Sequence, residues 1–316
     1  MNCCLPLRIL LFCLFLAMLT GLTGCSKSVR KVSSASVDEA SLYALQDQES
    51  GRNQLAKLSP EELVTTGFVY LARRDFNLAS LHFVTALQKN SRMASAKIGL
   101  ARIEQLQGNY AGAAMHYEQA LQIEPDSLPA LIGWTQSLRL DGKLGEAAEA
   151  ISRAMNIDPN NVQVLAELAT IYDLTGKETL AEPLYREIIE RSPRQAMAYN
   201  NLGTSYLLRK EYAAAIVQFE QAFQLKPDDK QIRNNLATAY LLHGDSETAL
   251  EIFKETVGEA AAYNNVGYLL LTRGRLDEAE QALNKALQIH PKFYTRAKEN
   301  LDTVNRLRRQ AASKSQ

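Results

Sequence analysis

The most reactive side chain in this sequence is the thiol of Cys25, the last of four cysteines in the chain. A thiolate is a strong nucleophile toward an acyl or prenyl donor. The two residues before it, Thr23 and Gly24, are small and leave the backbone accessible to a peptidase. We therefore predict that Cys25 is the site of a covalent modification. The other cysteines, Cys3, Cys4 and Cys13, precede it, so the residues after Cys25 can form no disulfide and contain no cysteine nucleophile.

Residues 1–24 have the features of a signal peptide. One charge, Arg8, precedes the apolar run 9–19, which is shorter than the roughly 20 residues of a membrane-spanning helix. The segment Leu22-Thr23-Gly24-Cys25 resembles the lipobox of bacterial lipoproteins. That resemblance implies cleavage before Cys25 and lipidation of its sulfur with acyl chains such as palmitate. An ordinary signal peptide that happens to contain a cysteine is the alternative.

The residues after Cys25 bear on its location. In lipoproteins of this class an aspartate after the cysteine favours the inner membrane, so Ser26 implies the outer membrane, with the protein facing the periplasm. We predict that residues 25–59, rich in serine and charge, form a lipidated amino terminus and a flexible linker. The 35 basic residues balance the 35 acidic ones, which disfavours nucleic acid as a partner.

No other group of residues in the sequence indicates catalysis. The four histidines lie far apart, and none has the i, i+4 spacing or the neighbouring carboxylates of a zinc site. Thr175-Gly176-Lys177 lacks the upstream glycine of a phosphate-binding loop. We predict a protein that is not an enzyme and that needs neither metal nor cofactor.

Polar side chains that suit peptide binding recur in the second half of the chain. A side-chain amide has two donors and one acceptor, so a column of asparagines can pair with the backbone of an extended peptide. The candidate contacts are Asn200, Asn201, Asn234, Asn235, Asn264 and Asn265, with Thr204, Thr238 and Tyr268 about one helical turn later. The alternative is that such asparagines belong to the repeat pattern without binding anything.

These candidates belong to a repeat of about 34 residues. The predicted repeats 1 to 7 are residues 60–93, 94–127, 128–161, 162–195, 196–229, 230–259 and 260–293. Position 8 is always small, position 20 is always alanine, and position 24 is always large and apolar or aromatic. Small residues let two antiparallel helices approach closely, and the large residue fills the space beside them.

Glycine and proline support the same alignment. Position 15 is glycine in five repeats and position 32 is proline in five, where they end the first and the second helix of a hairpin. These spacings resemble the tetratricopeptide repeat (TPR) family. The resemblance implies an all-α fold, a right-handed TPR superhelix of about seven hairpins whose first helices line the concave face. Residues 294–316 are predicted to form a capping helix and tail.

The inner positions of repeats 1 to 3 differ from those of repeats 5 to 7. They are apolar or basic: Val64, Phe68, Leu71, Ile98, Arg102, Ile132 and Arg139. This predicts a second contact zone, with the linker folding back over these residues as the alternative.

The carboxy-terminal residues carry a narrower resemblance. Tyr263 to Leu270, Gly274-Arg275 and the stretch from His290 to Leu301 resemble the end of the TadD-type lipoproteins of tight-adherence (Flp) pilus assembly. That resemblance implies a scaffold that binds a pilus secretin or another assembly subunit. The alternatives are a type IV pilus pilotin of the PilF or PilW kind and an NlpI-like adaptor for periplasmic proteases or cell-wall enzymes.

Overall fold

The computed structural model describes residues 55–290 and 295–314. Within these ranges the regular structure is entirely α-helical. The helices are α1 Pro60–Ala72, α2 Phe76–Lys89, α3 Ala94–Leu106, α4 Tyr110–Ile123, α5 Leu128–Leu140, α6 Leu144–Ile157, α7 Val162–Leu174, α8 Glu178–Arg191, α9 Ala196–Leu208, α10 Tyr212–Leu225, α11 Lys230–His243, α12 Ser246–Val257, α13 Glu259–Thr272, α14 Leu276–Ile289 and α15 Thr295–Lys314. The predicted signal peptide, Cys25 and most of the linker lie outside the described residues. None of the helices described is both long and apolar enough to cross a bilayer.

Local sequence signals set where the helices begin. Ser59 and Glu62 form a capping box at the start of α1, with each side chain bonded to the other's backbone amide. Asp75 and Asn109 cap α2 and α4 by accepting from backbone amides in the first turn. These bonds satisfy amides that have no partner within the helix.

The turn inside each hairpin needs one left-handed residue, at repeat position 15. Glycine provides it in five repeats, for example Gly142 at φ 81°. In repeats 1 and 5 the residue is Arg74 or Lys210, with φ 61° and 64°. A residue with a Cβ atom adopts this conformation at a cost, so the two repeats store strain that the others lack.

We expect Lys210→Gly to raise the free energy of unfolding by about 0.5–1 kcal/mol, because glycine relieves this strain. Gly142→Ala is the opposite change at the same repeat position and should lower it by a similar amount. Urea unfolding followed by circular dichroism measures both. A Lys210→Gly variant no more stable than the native chain would contradict the expectation.

The helices pack as hairpins in two compact bodies, divided between Ile171 and Tyr172 within α7. In the amino-terminal body the hairpins are α1/α2, α3/α4 and α5/α6, and α2 also packs on α3 and α4 on α5. The carboxy-terminal body repeats this plan with α9/α10, α11/α12 and α13/α14, between α8 at one end and α15 at the other. The alanines at position 20 and the large residues at position 24 are buried in every repeat.

The helix α15 differs from the preceding first helices at one packing position. With Thr295 taken as position 1, α15 buries Ala297 and Val304 at positions 3 and 10, as the first helices of repeats 2 to 7 do. Its position 8, however, is Asp302, which is exposed. A charged side chain there prevents the close approach of a second helix, so α15 closes the carboxy-terminal body with a polar surface.

Candidate functional site

The six candidate asparagines lie on the first helices α9, α11 and α13 of the carboxy-terminal body, which pack against one another in order. They occupy positions 5 and 6 of repeats 5, 6 and 7. Neighbouring residues on a helix point about 100° apart, so the two members of a pair cannot face the same surroundings. The structure divides the six into two groups.

Three of the candidates are buried and join helices. Asn200, Asn235 and Asn264 are only 1%, 2% and 6% exposed. The amide of Asn235 donates to Oδ1 of Asn200 over 2.7 Å, and that of Asn300 in α15 donates to Oδ1 of Asn264 over 3.1 Å. Buried amides require such partners. These three amides therefore hold successive helices together, and Asn300 is a member of the series that the sequence analysis did not include.

The other three, Asn201, Asn234 and Asn265, are half-buried. We call these three asparagines, together with Thr204 and Tyr268, the polar strip. Each of the five side chains is half-buried. The Thr204 hydroxyl donates to its own helix at the Asn200 carbonyl over 2.9 Å, which leaves the hydroxyl oxygen able to accept. Burial raises the pKa of Tyr268, so its phenol keeps its proton as a donor.

Within the described residues, Oδ1 of Asn234 is buried and accepts no hydrogen bond. Its counterparts at position 5 each accept from the next helix, Asn200 from Asn235 and Asn264 from Asn300. Repeat 6 is four residues shorter than the others, and Asn265 makes no such bond to Asn234. An unpaired buried acceptor costs about 1–3 kcal/mol. Because this oxygen is buried, a ligand could bond to it only after the Asn234 side chain turned outward.

Thr238 differs from the strip, because it is buried and its hydroxyl donates to the Asn234 carbonyl over 2.7 Å. We exclude it from the exposed candidates. Whether any of the nine predicted residues contacts a peptide stays a prediction.

Most of the predicted second contact zone in the amino-terminal body is core. Val64, Leu71, Ile98 and Ile132 are buried. Their apolar character therefore serves helix packing.

The remaining members of that zone are Phe68, Arg102 and Arg139. Arg139 pairs with Glu167 at 3.0 Å. Phe68 and Arg102 remain accessible, with the guanidinium 5.8 Å from the ring centroid. They line an open groove of about 720 Å³ together with Leu71, Ala72, Gln105 and Leu106.

Each body also contains a polar triad, formed by positions 12 and 24 of one repeat and position 10 of the next. The triad is buried in the carboxy-terminal body and partly buried in the amino-terminal body. In the carboxy-terminal body the Tyr185 and Ser205 hydroxyls donate to the Asp173 carboxylate, at 3.1 and 2.7 Å. Burial raises the pKa of Asp173 to about 7, against the lowering effect of these two hydrogen bonds.

In the amino-terminal body the residue at position 12 is neutral. Gln105 accepts from Tyr117 at 2.8 Å and donates to Ser137 at 2.9 Å. The sequence analysis missed both triads, although a polar residue at position 12 with tyrosine at position 24 marks them.

No group of three histidines, cysteines or carboxylates in the described residues could hold a metal ion. His82 is buried, and its Nδ1 lies 2.8 Å from the Leu78 carbonyl. Burial lowers the pKa of His116, so its imidazole is neutral at pH 7. The two histidines share position 23 and serve packing in their own repeats.

Comparisons with known proteins agree with this geometry. One model of the tetratricopeptide repeat matches residues 196–229 and 260–293, the bounds predicted for repeats 5 and 7, and another matches residues 67–127. No curated protein matches the chain in sequence.

Several solved structures share the fold. A tetratricopeptide repeat protein from Parabacteroides merdae is 19% identical over 78% of this chain and 98% of its own, with a TM-score of 0.58. PilW, described as a type IV pilus biogenesis factor, is 18% identical over 67% and 98% of the two chains, with a TM-score of 0.58. PilF of Pseudomonas aeruginosa is 17% identical over 67% and 96%, with a TM-score of 0.54.

Proposed function

Because the chain carries tetratricopeptide repeats in an all-helical solenoid fold, we propose that it is a non-catalytic scaffold that binds an extended peptide of a partner protein. The observation that carries this proposal is that Asn201, Asn234 and Asn265 are only half-buried and do not join helices, whereas Asn200, Asn235 and Asn264 do. A peptide backbone presents one N–H and one C=O per residue and suits side-chain amides of this kind.

The polar strip is held in a fixed arrangement. The buried pairs Asn200–Asn235 and Asn264–Asn300 link α9 to α11 and α13 to α15. Fixed helices keep Asn201, Asn234 and Asn265 in place before a ligand arrives, and this preorganisation lowers the entropic cost of binding. Main-chain recognition of this kind demands little of the partner's sequence.

The finer proposal is that the scaffold is lipidated at Cys25, lies on the periplasmic side of the outer membrane, and helps to assemble a tight-adherence (Flp) pilus or its secretin. Its support is the lipobox-like segment and the carboxy-terminal resemblance in the sequence. The fold likeness to PilF and PilW is compatible with a pilotin of that kind, the alternative role. An NlpI-like adaptor would use the same strip for another partner.

We expect the triple substitution of Asn201, Asn234 and Asn265 by alanine to weaken capture of the partner from solubilised membranes by at least about tenfold, since each lost hydrogen bond removes about 0.5–1.5 kcal/mol. The matched control replaces the exposed Asn156 and Asn284, which lie on second helices. If the folded triple variant captures the partner as well as the native chain does, the proposal that the polar strip binds a peptide is contradicted.

Deletion of the protein tests the finer proposal. Under the tight-adherence role, surface pili and secretin multimers of that apparatus are lost, and the native chain restores them. Loss confined to type IV pili supports the pilotin role, and normal assembly of both pili contradicts either role without bearing on peptide binding.

A further inference from the structure

The outer side of α2 exposes three large apolar side chains. Leu78, Leu81 and Val84 are 37%, 43% and 40% exposed. They follow one another at intervals of three residues, so they form a stripe along about two turns of the helix. We call this stripe the apolar face of α2.

No other second helix in the described residues has such a face. The three side chains occupy positions 19, 22 and 25 of repeat 1. Position 25 is polar or charged in every other repeat: Glu118, Ser152, Arg186, Glu220, Lys254 and Asn284. Single apolar residues occur at position 22, such as Val217, which is 52% exposed. The repeat pattern therefore does not require the face, and its apolar character is specific to repeat 1.

The charges around the face are basic. The helix α2 contains neither aspartate nor glutamate. Arg73 and Arg74 stand exposed before it and Arg92 after it, and within the described residues they form no ion pair. The carboxylate nearest in sequence, Asp75, accepts from the Leu78 amide as the helix cap. An uncharged apolar stripe between basic residues complements an anionic lipid surface.

The chain that leads from Cys25 joins the amino-terminal body at α2. The Lys89 ammonium, at the last residue of α2, donates to the carbonyls of Ala56 and Leu58 at 2.6 and 2.5 Å. Residues 26–54 therefore connect the predicted lipid-bearing cysteine to this end of the helix. With Cys25 in the bilayer, contact between α2 and the same bilayer is intramolecular, so that even a weak surface is occupied.

We propose that the apolar face of α2 docks on the surface of a bilayer that contains anionic lipid. Leu78, Leu81 and Val84 enter the boundary between headgroups and acyl chains, and Arg73, Arg74 and Arg92 contact lipid phosphates. This inference rests on the proposed attachment at Cys25. It specifies, in addition, which side of repeat 1 faces the membrane.

The test uses the lipidated chain in vesicles of phosphatidylethanolamine and phosphatidylglycerol with brominated acyl chains, which quench nearby indoles. The only tryptophan, Trp134, is first replaced by phenylalanine. Leu81→Trp then places an indole on the face, and Val217→Trp places one at the same repeat position in repeat 5. We expect at least about twofold stronger quenching for Leu81→Trp.

A charge substitution supplies the second measurement. Arg74→Gly removes a basic residue and relieves a strained backbone, so it does not impair folding. It should lower the docked population by up to about fivefold, with correspondingly weaker quenching at position 81. Lys210→Gly, the equivalent change in repeat 5, should leave that quenching unchanged. In phosphatidylcholine vesicles the quenching should be weak from the start.

Co-flotation with vesicles distinguishes failure of the attachment at Cys25 from failure of the docking of α2. A chain that floats but shows equal quenching at both positions overturns the docking alone. Shielding of the Leu81→Trp indole from acrylamide without quenching by bromolipid means that a protein covers the face, and this also overturns it. A chain that fails to float overturns the attachment at Cys25 and the docking with it.

Discussion

Replacing Asp173 with asparagine is expected to abolish most of the dependence of unfolding free energy on pH between about pH 4 and 8 in the carboxy-terminal body. The native carboxyl is buried between Tyr185 and Ser205, and its pKa is raised from 3.8 to about 7. The folded state therefore binds a proton more tightly than the unfolded state. The contribution of this carboxyl group to stability is fully present below about pH 4 and is lost as the pH rises through 7.

The size of this effect follows from the two pKa values. Each unit of difference corresponds to about 1.4 kcal/mol, so the loss accumulated between about pH 4 and pH 7 is on the order of 4 kcal/mol. Urea unfolding at a series of pH values measures it, and hydrogen exchange of α8 amides localises it. Because carboxylates with lowered pKa values act in the opposite direction, the comparison is between the two proteins at each pH. The same pH dependence in the native chain and in Asp173→Asn would contradict the expectation.

The amino-terminal body supplies the matched control. Gln105 holds the equivalent position in its triad and is neutral. Gln105→Glu keeps the length of the side chain and introduces a carboxyl group, so it should create a similar loss of stability at high pH in that body. One substitution removes the titrating group and the other adds one, on the same architecture.

The sequence alone was sufficient to predict the repeated hairpin fold. The pattern of small residues at positions 8 and 20 and large ones at position 24 follows from helix packing, which acts the same way in every hairpin. The structure confirms the resulting fold, with the large residues at position 24 buried in all seven repeats. The all-α prediction needed no tertiary information beyond this periodicity.

The candidate site was less predictable, because residue type does not tell which side of a helix meets a neighbour. Asn200 and Asn201 have the same chemistry, yet Asn200 bonds to Asn235 in a neighbouring helix, whereas Asn201 is half-buried. Ile98 and Ile132 suggested an apolar contact surface but complete the core. Which amide pairs with which depends on helix offsets of a few ångströms, and the short repeat 6 changes those offsets at Asn234.

The second large effect is expected at Gly99, where the aromatic ring of one repeat meets the first helix of the next. A Cβ atom on Gly99 would lie 2.3 Å from Cζ of Phe83, and one on Gly67 would lie 2.7 Å from Cε1 of the same ring. Phe83 is fully buried between the two glycines. The ring has no room to move, so an added methyl group forces the helices apart.

We expect Gly99→Ala to lower the free energy of unfolding of the amino-terminal body by about 3 kcal/mol, at the upper end of overpacking effects. Alanine is the better helix former by up to about 1 kcal/mol, so any loss at a helical glycine reports the steric conflict. Gly145→Ala is the control, because no atom lies within 4 Å of a Cβ built there. It should be neutral or slightly stabilising.

A double-mutant cycle identifies Phe83 as the origin of the conflict. Phe83→Leu removes the ring atoms nearest Gly99 and should cost about 1–2 kcal/mol alone, through the smaller buried volume. Gly99→Ala added to this variant should cost little, which gives a coupling of about 2 kcal/mol between the two positions. Additive effects in urea unfolding would contradict this, and would mean that Gly99 is required for a reason other than the ring that packs on it.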